Sequence, residues 1–126
     1  MELQREKEVV SFYHYDARNF DFEAKNGTPE TRINVQVHLL DADATMTAQD
    51  TKIQLTLAAL IVLDNFVLSS SLSQISIMKG KRIMSREELV QSELEELAAP
   101  LFDLLKRLTY ELTEVALDEP GLKLEF

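Results

Sequence analysis

The sequence predicts an α+β fold: a four-stranded antiparallel sheet with a short and a long C-terminal helix packed on one face. Three observations carry this. Two runs, Arg32–Leu40 and Lys52–Leu63, alternate apolar and polar residues with the period of a half-buried strand. A later stretch, Ser92–Leu117, repeats leucine and valine with the period of a helix. The strands come first and the helices last, a segregation that belongs to two-layer α+β domains rather than to alternating β-α units.

Taken in order, Glu8–Tyr15 (EVVSFYHY) is rich in β-branched and aromatic residues and reads as the first strand. Simple alternation puts Val10, Phe12 and His14 on one face and Val9, Ser11, Tyr13 and Tyr15 on the other. The alternation resumes at Phe20-Asp21-Phe22-Glu23, so the strand is expected to continue there, and Asn26-Gly27-Thr28-Pro29 is a firm turn. Arg32–Leu40 directs Ile33, Val35, Val37 and Leu39 to the core, with Arg32, Asn34, Gln36 and His38 toward water. After a polar loop over Asp41–Asp50, Lys52–Leu63 turns Ile53, Leu55, Leu57, Ala59 and Ile61 inward. Its far half is apolar on both faces, because Ala58, Leu60 and Val62 occupy the outward positions. Asp64-Asn65 closes a hairpin into Phe66–Met78. In that strand Ile75 and Ile77 fall out of phase with Phe66, Leu68 and Leu72, which predicts a bulge near Ser73-Gln74.

Gly80-Lys81-Arg82 turns the chain, and Ser85 with Glu88 has the spacing of a capping box that opens a short helical piece. The long helix follows. Leu94, Leu101, Leu108 and Val115 recur at steps of seven, with Leu97, Leu104, Leu105 and Leu112 between them. Ser92 and Glu95 read as its capping box, and Pro120-Gly121 as its stop. Pro100 removes a helical hydrogen bond and clashes with the preceding turn, at a cost of about 3 kcal/mol, so a kink or break is expected near Ala98–Pro100. The tail, Gly121–Phe126, alternates Leu122, Leu124 and Phe126 and is expected to lie extended along the domain.

Composition narrows the function. A chain of 126 residues with 45% hydrophobic residues predicts one domain with a sizeable core. The absence of cysteine removes disulfides, thiolate metal sites and cysteine nucleophiles, and suits a cytoplasmic location. The charged start, Met1–Glu8, predicts no signal peptide, and the longest apolar run, Leu57–Leu63, is too short for membrane insertion. A net charge of -9 opposes nucleic acid and anionic lipid and would steer a basic or unfolded polypeptide favourably.

No catalytic constellation stands out, and neither an enzymatic activity nor a cofactor is expected. His14 and His38 are the only histidines and lack a ligand set, Ser69-Ser70-Ser71 has no activating base, and Gly80-Lys81-Arg82 lacks the glycines of a phosphate cradle. The more informative feature is apolar surplus. If the long helix covers one face of the sheet, then Ala58, Leu60 and Val62, with Val9, Tyr13 and Tyr15, are left on the other. Contiguous exposed apolar surface marks an interface. A homo-oligomer, dimer or tetramer, is therefore expected, with Ala58, Leu60 and Val62 in its interface.

Strands followed by a short and a long helix in an acidic chain of this size resemble SecB, the tetrameric cytosolic chaperone that holds unfolded preproteins for export. Phe22-Glu23-Ala24 followed by Asn26 is similar to the Phe-Glu-Ala-Pro-Asn run of the SecB first-strand segment, with Lys25 in place of the proline. Leu97–Phe126 is similar to its C-terminal helix and exit, Pro120-Gly121-Leu122-Lys123-Leu124 standing for Pro-Gln-Leu-Asn-Leu. Leu105-Lys106-Arg107-Leu108-Thr109-Tyr110-Glu111 and Leu124-Glu125-Phe126 resemble the endings of an uncharacterised SecB-like family of streptococci and lactic-acid bacteria.

The resemblance implies a chaperone or adaptor that binds unfolded or partly folded polypeptides. Phe12, Tyr13, Tyr15, Phe20 and Phe22 are the candidate polypeptide-binding residues, on the segment expected to form an edge, and Asp16, Asp21 and Glu23 would make binding salt-sensitive. The alternative is an interaction protein that uses the same scaffold to bind one folded partner. In SecB, acidic residues help dock the export motor SecA. Glu23 matches one of them and is the candidate docking residue, but Asn19 and Ser69 stand at two others, so SecA docking is the least transferable part of the likeness.

Overall fold

The structure, a computed structural model, describes residues 1–44, 46–117 and 121–125, with Leu117 described in its backbone alone. Five antiparallel strands form one sheet: β1 (Glu2–Arg5), β2 (Val9–Ala17), β3 (Arg32–Leu40), β4 (Thr51–Val62) and β5 (Phe66–Lys79). They fill four lanes. β5 is long enough to pair β2 along Phe66–Ser73 and β1 along Ser76–Lys79 on the same side, and β4 and β3 follow on its other side. The charged start thus supplies a strand that alternation alone did not announce. Among the described residues two helices accompany the sheet, α1 (Phe20–Asn26) and α2 (Gln91–Leu117), with a 3-10 turn at Arg86–Glu88.

The register assigns each side chain a face. Ile53, Leu55, Leu57, Ala59 and Ile61 of β4 lie beside Leu68, Leu72 and Met78 of β5 and Ile33, Val35 and Val37 of β3, on the side covered by α2. Leu97, Ala98, Leu101 and Leu105 close this core from above. Apart from Ala98, the buried residues of α2 run 97, 101, 105, 109, 113, an i+4 ridge inclined to the helix axis. This departs from the seven-residue stripe: Val115 is 83% exposed, and Thr109 and Thr113 take the buried positions. Their hydroxyls are satisfied. Tyr13 Oη and Thr109 Oγ1 lie 2.8 Å apart, Thr113 Oγ1 donates to the Thr109 carbonyl at 2.7 Å, and it accepts from Leu122 N at 2.7 Å.

Four expectations are corrected. The pairing of β4 with β5 is regular from end to end, so there is no bulge at Ser73-Gln74; the irregularity is at Ser11 in β2, between Val10 and Phe12. Phe20–Glu23 does not extend a strand but begins α1, because Asn19 Oδ1 caps Phe22 N at 3.0 Å and Gly27 ends the helix at φ 98°. The start of α2 is not capped by Ser92 and Glu95; Glu93 Oε1 instead accepts from Val90 N at 3.1 Å. The Ser85 turn does form, with Glu88 Oε2 accepting from Ser85 N at 2.9 Å. The stop signals Asp118–Pro120 and the terminal Phe126 lie outside the described residues. Among the described tail residues, Leu124 packs against the core.

The fourth correction is that α2 runs through Pro100 without a break. Proline has no N–H to offer the Glu96 carbonyl four residues back. Arg5 replaces it, donating Nη2 to Glu96 O at 2.7 Å and Nη1 to Leu97 O at 3.1 Å. This ties β1 to the helix at the point where the helix lacks a bond. Arg5→Ala is expected to lower stability by about 1–2 kcal/mol. In a Pro100→Ala background, where an N–H again reaches Glu96, the loss is expected to shrink, so a urea-denaturation cycle should give a coupling near 1 kcal/mol.

Candidate functional site

The face of the sheet away from α2 includes Ala58, Leu60 and Val62 of β4, Val67, Ser69, Ser71 and Ser73 of β5, Arg32, Asn34, Gln36 and His38 of β3, and Val9, Phe12 and His14 of β2. Alternation explains the membership, and side-chain size explains the shape. Reading across the lanes, Phe12 is paired to Ser71, Ser71 to Ala58, and Ala58 to Asn34; in the next row Ser69 is paired to Leu60, and Leu60 to Arg32. Small residues in the middle lanes lie between larger ones at the edges. The result is a trough of about 250 Å³ lined by Phe12, Arg32, Asn34, Ala58 and Leu60. Its Phe12 wall is stiffened by His14, whose ring centroid lies 4.9 Å away. Phe12 remains 42% exposed and Val9 54%.

Of the sequence-predicted aromatics, the structure brings Phe12 to this face together with Ala58, Leu60 and Val62. It does not bring Tyr13 and Tyr15. The bulge at Ser11 reverses the phase of β2, so both tyrosines turn to the α2 side. There Tyr13 meets Thr109, and burial pushes its phenol up from the ordinary range against the opposing effect of that hydrogen bond. Tyr15 stacks on Phe66 at 4.6 Å.

Phe20 and Phe22 project from α1, 54% and 60% exposed. The helix is fastened by Arg18, which donates Nε and Nη2 to the Glu23 carboxylate at 3.1 and 2.5 Å, and Nη1 to the Leu63 and Asp64 carbonyls at 3.0 and 3.2 Å. The Arg18 guanidinium, 4.8 Å from the Phe20 ring centroid, also supports that ring. Its hydrogen bonds hold Glu23 below the usual carboxylate range. Glu23 is therefore a buried anchor of α1, its carboxylate already engaged, rather than a charge presented for docking. Beside it a cleft of about 370 Å³ is lined by Ala17, Phe22, Asn26, Pro29 and Val67, which sets Phe22 at the Val67 end of the uncovered face.

Sequence reasoning missed Arg32, Asn34 and Val67 as members of this surface, and the small floor of Ser69 and Ser71. The alternation in β3 showed which way Arg32 and Asn34 point, but not which lane stands next to β4. Among the described residues no group of three or more His, Asp or Glu side chains is arranged to hold a metal ion. No helix among them is long and apolar enough to cross a membrane.

Comparison with known proteins places the fold. A protein of unknown function from Streptococcus agalactiae, known from its crystal structure, is 48% identical over 100% of this chain and 98% of its own, with a TM-score of 0.93. A SecB-like chaperone of Mycobacterium tuberculosis, solved in complex with a ChAD peptide from the HigA1 antitoxin, superposes over 98% of this chain and 90% of its own with a TM-score of 0.54 at 16% identity, a likeness of fold. No curated protein matches. The fold is thus SecB-like, and the chain, matched from residue 1 to 126, belongs to the family described as a protein of unknown function, DUF1149.

Proposed function

We propose that this protein holds unfolded or partly folded polypeptides in the trough on the uncovered face of its sheet. The observation that carries the reading is the trough itself, a concave strip with an exposed aromatic wall, an aliphatic and small-residue floor, and polar side chains along β3. Such a strip buries apolar side chains of an extended segment with little demand on sequence. The net charge of -9 favours basic segments at a distance. The fold likeness to a SecB-like chaperone solved with an antitoxin peptide supports polypeptide as the ligand class.

Suppression of aggregation of a slow-folding preprotein tests this. The native chain is expected to suppress at equimolar ratio. Phe12→Ala and Phe22→Ala should each weaken suppression, while Tyr15→Ala, on the covered face, should leave it unchanged at equal folded fraction. No suppression by the native chain would sink the holding role. The second reading, recognition of one folded partner, is favoured by Phe20 and Phe22, two exposed aromatics on a short helix clamped by Arg18 and Glu23. It predicts one stoichiometric protein in a pull-down, lost with Phe20→Ala and kept with Phe12→Ala.

A further inference from the structure

We infer that the groove between α2 and the C-terminal tail is a docking site for an acidic polypeptide segment that carries an apolar anchor residue. From Glu87 to Phe126 the chain has eleven acidic residues and three cations, Lys106, Arg107 and Lys123. All three cations line this one groove, of about 360 Å³, together with Tyr110, Leu124 and the carboxylate of Glu111. In a chain of net charge -9 such a concentration runs against the field of the whole molecule, so the groove offers local attraction to an anion that the rest of the chain repels.

The sequence builds both banks. On α2, Lys106 and Arg107 stand about one turn before Tyr110, at i+4 and i+3, so the two cations and the ring share a face. The opposite bank is the tail, and three contacts fix it. Gly121 lies so close to Tyr110 that a Cβ there would overlap the Tyr110 carbonyl oxygen and ring. Leu122 N donates to the buried Thr113 hydroxyl at 2.7 Å, and Leu124 packs against the core. Lys123, between these two leucines, is exposed on the groove. The tail thus carries a cation to a fixed position across from the helix pair.

The occupant follows from the lining. Cations on both banks suit a segment that lies between them with carboxylates on its two sides, and Arg107 can give one carboxylate two donors at once. The apolar part, made by the Tyr110 ring, Leu124 and the aliphatic stems of the cations, takes one aliphatic or aromatic side chain. Nucleic acid is disfavoured, because three cations beside Glu111 release few counterions from a phosphate backbone. An ordinary unfolded chain, with charges of both signs interspersed, lacks the required run of carboxylates. The partner of the groove therefore differs in class from the clients of the trough.

Fluorescence anisotropy of a labelled peptide, a central leucine flanked on each side by glutamates, tests the site on the full chain. Saturable binding in the micromolar range is expected, weakening with salt. Arg107→Gln and Lys123→Gln should each weaken it about threefold, while Glu111→Gln, which removes the opposing carboxylate, should tighten it by a similar factor. All three positions are exposed, so the variants should keep a native circular dichroism spectrum. Replacing the leucine of the peptide by serine should weaken binding about fivefold. No binding by the native chain, an affinity indifferent to Arg107 and Lys123, or equal binding of the serine peptide overturns the inference. Displacement by inorganic tripolyphosphate as effective as that by unlabelled peptide would also overturn it, marking a bare anion site.

Discussion

Leu57→Ala is expected to lower stability by about 3 kcal/mol, whereas Leu60→Ala, three residues along the same strand, should cost about 1 kcal/mol or less. Leu57 is 0% exposed, enclosed in the core that Leu72, Leu101 and Leu105 share. Truncating it leaves a cavity in a layer fixed on one side by the sheet ladder and on the other by α2, with little room to collapse. Leu60 alternates to the opposite face, where it is only half-buried. Urea denaturation of the two variants reads the contrast directly. Equal losses would mean that the outer face is as well covered as the inner one.

Leu60→Lys should abolish polypeptide holding, reducing the affinity for an unfolded segment at least tenfold while the mass of the assembly stays native. The substitution sets a strongly hydrated ammonium on the trough floor between Ser69 and Arg32, where an apolar side chain of the bound segment would have to desolvate it. Tenfold corresponds to about 1.4 kcal/mol, well within the cost of burying an unpaired charge. The contrary expectation, that Ala58, Leu60 and Val62 form the oligomer interface, predicts a fall in mass with this variant. The mass therefore separates the two roles of the face.

Much of this architecture was legible from residue order. The boundaries of β3 came from strict alternation, β4 and β5 within a residue or so, and α2 from its leucines. What alternation does not contain is the lane order and any shift of phase. The single extra residue at Ser11 turned Tyr13 and Tyr15 to the covered side, so two of five candidate aromatics proved to be supports for α2 and β5. α1 was hidden because Phe-Asp-Phe-Glu alternates like a strand; the signal available was the pair of ends, Asn19 as N-cap and Gly27 as C-cap. β1 was hidden because its residues are mostly polar, and its place depends on Leu3 reaching the core and Arg5 reaching Glu96 across the sheet edge. The trough was the least legible feature. It depends on Phe12, Ser71, Ala58 and Asn34 standing in one row, a register that no single strand encodes.

The most direct test places a reporter inside that row. The chain has no cysteine, so Ala58→Cys accepts a single environment-sensitive fluorophore on the trough floor, and Glu111→Cys accepts the same label on the exposed side of α2. Titration with an unfolded preprotein is expected to shift the emission of the label at position 58 to the blue, saturably and with weaker affinity at high salt, while the label at position 111 stays silent. A response at position 111 with none at position 58, or equal responses at both, would contradict a polypeptide site on the uncovered face of the sheet.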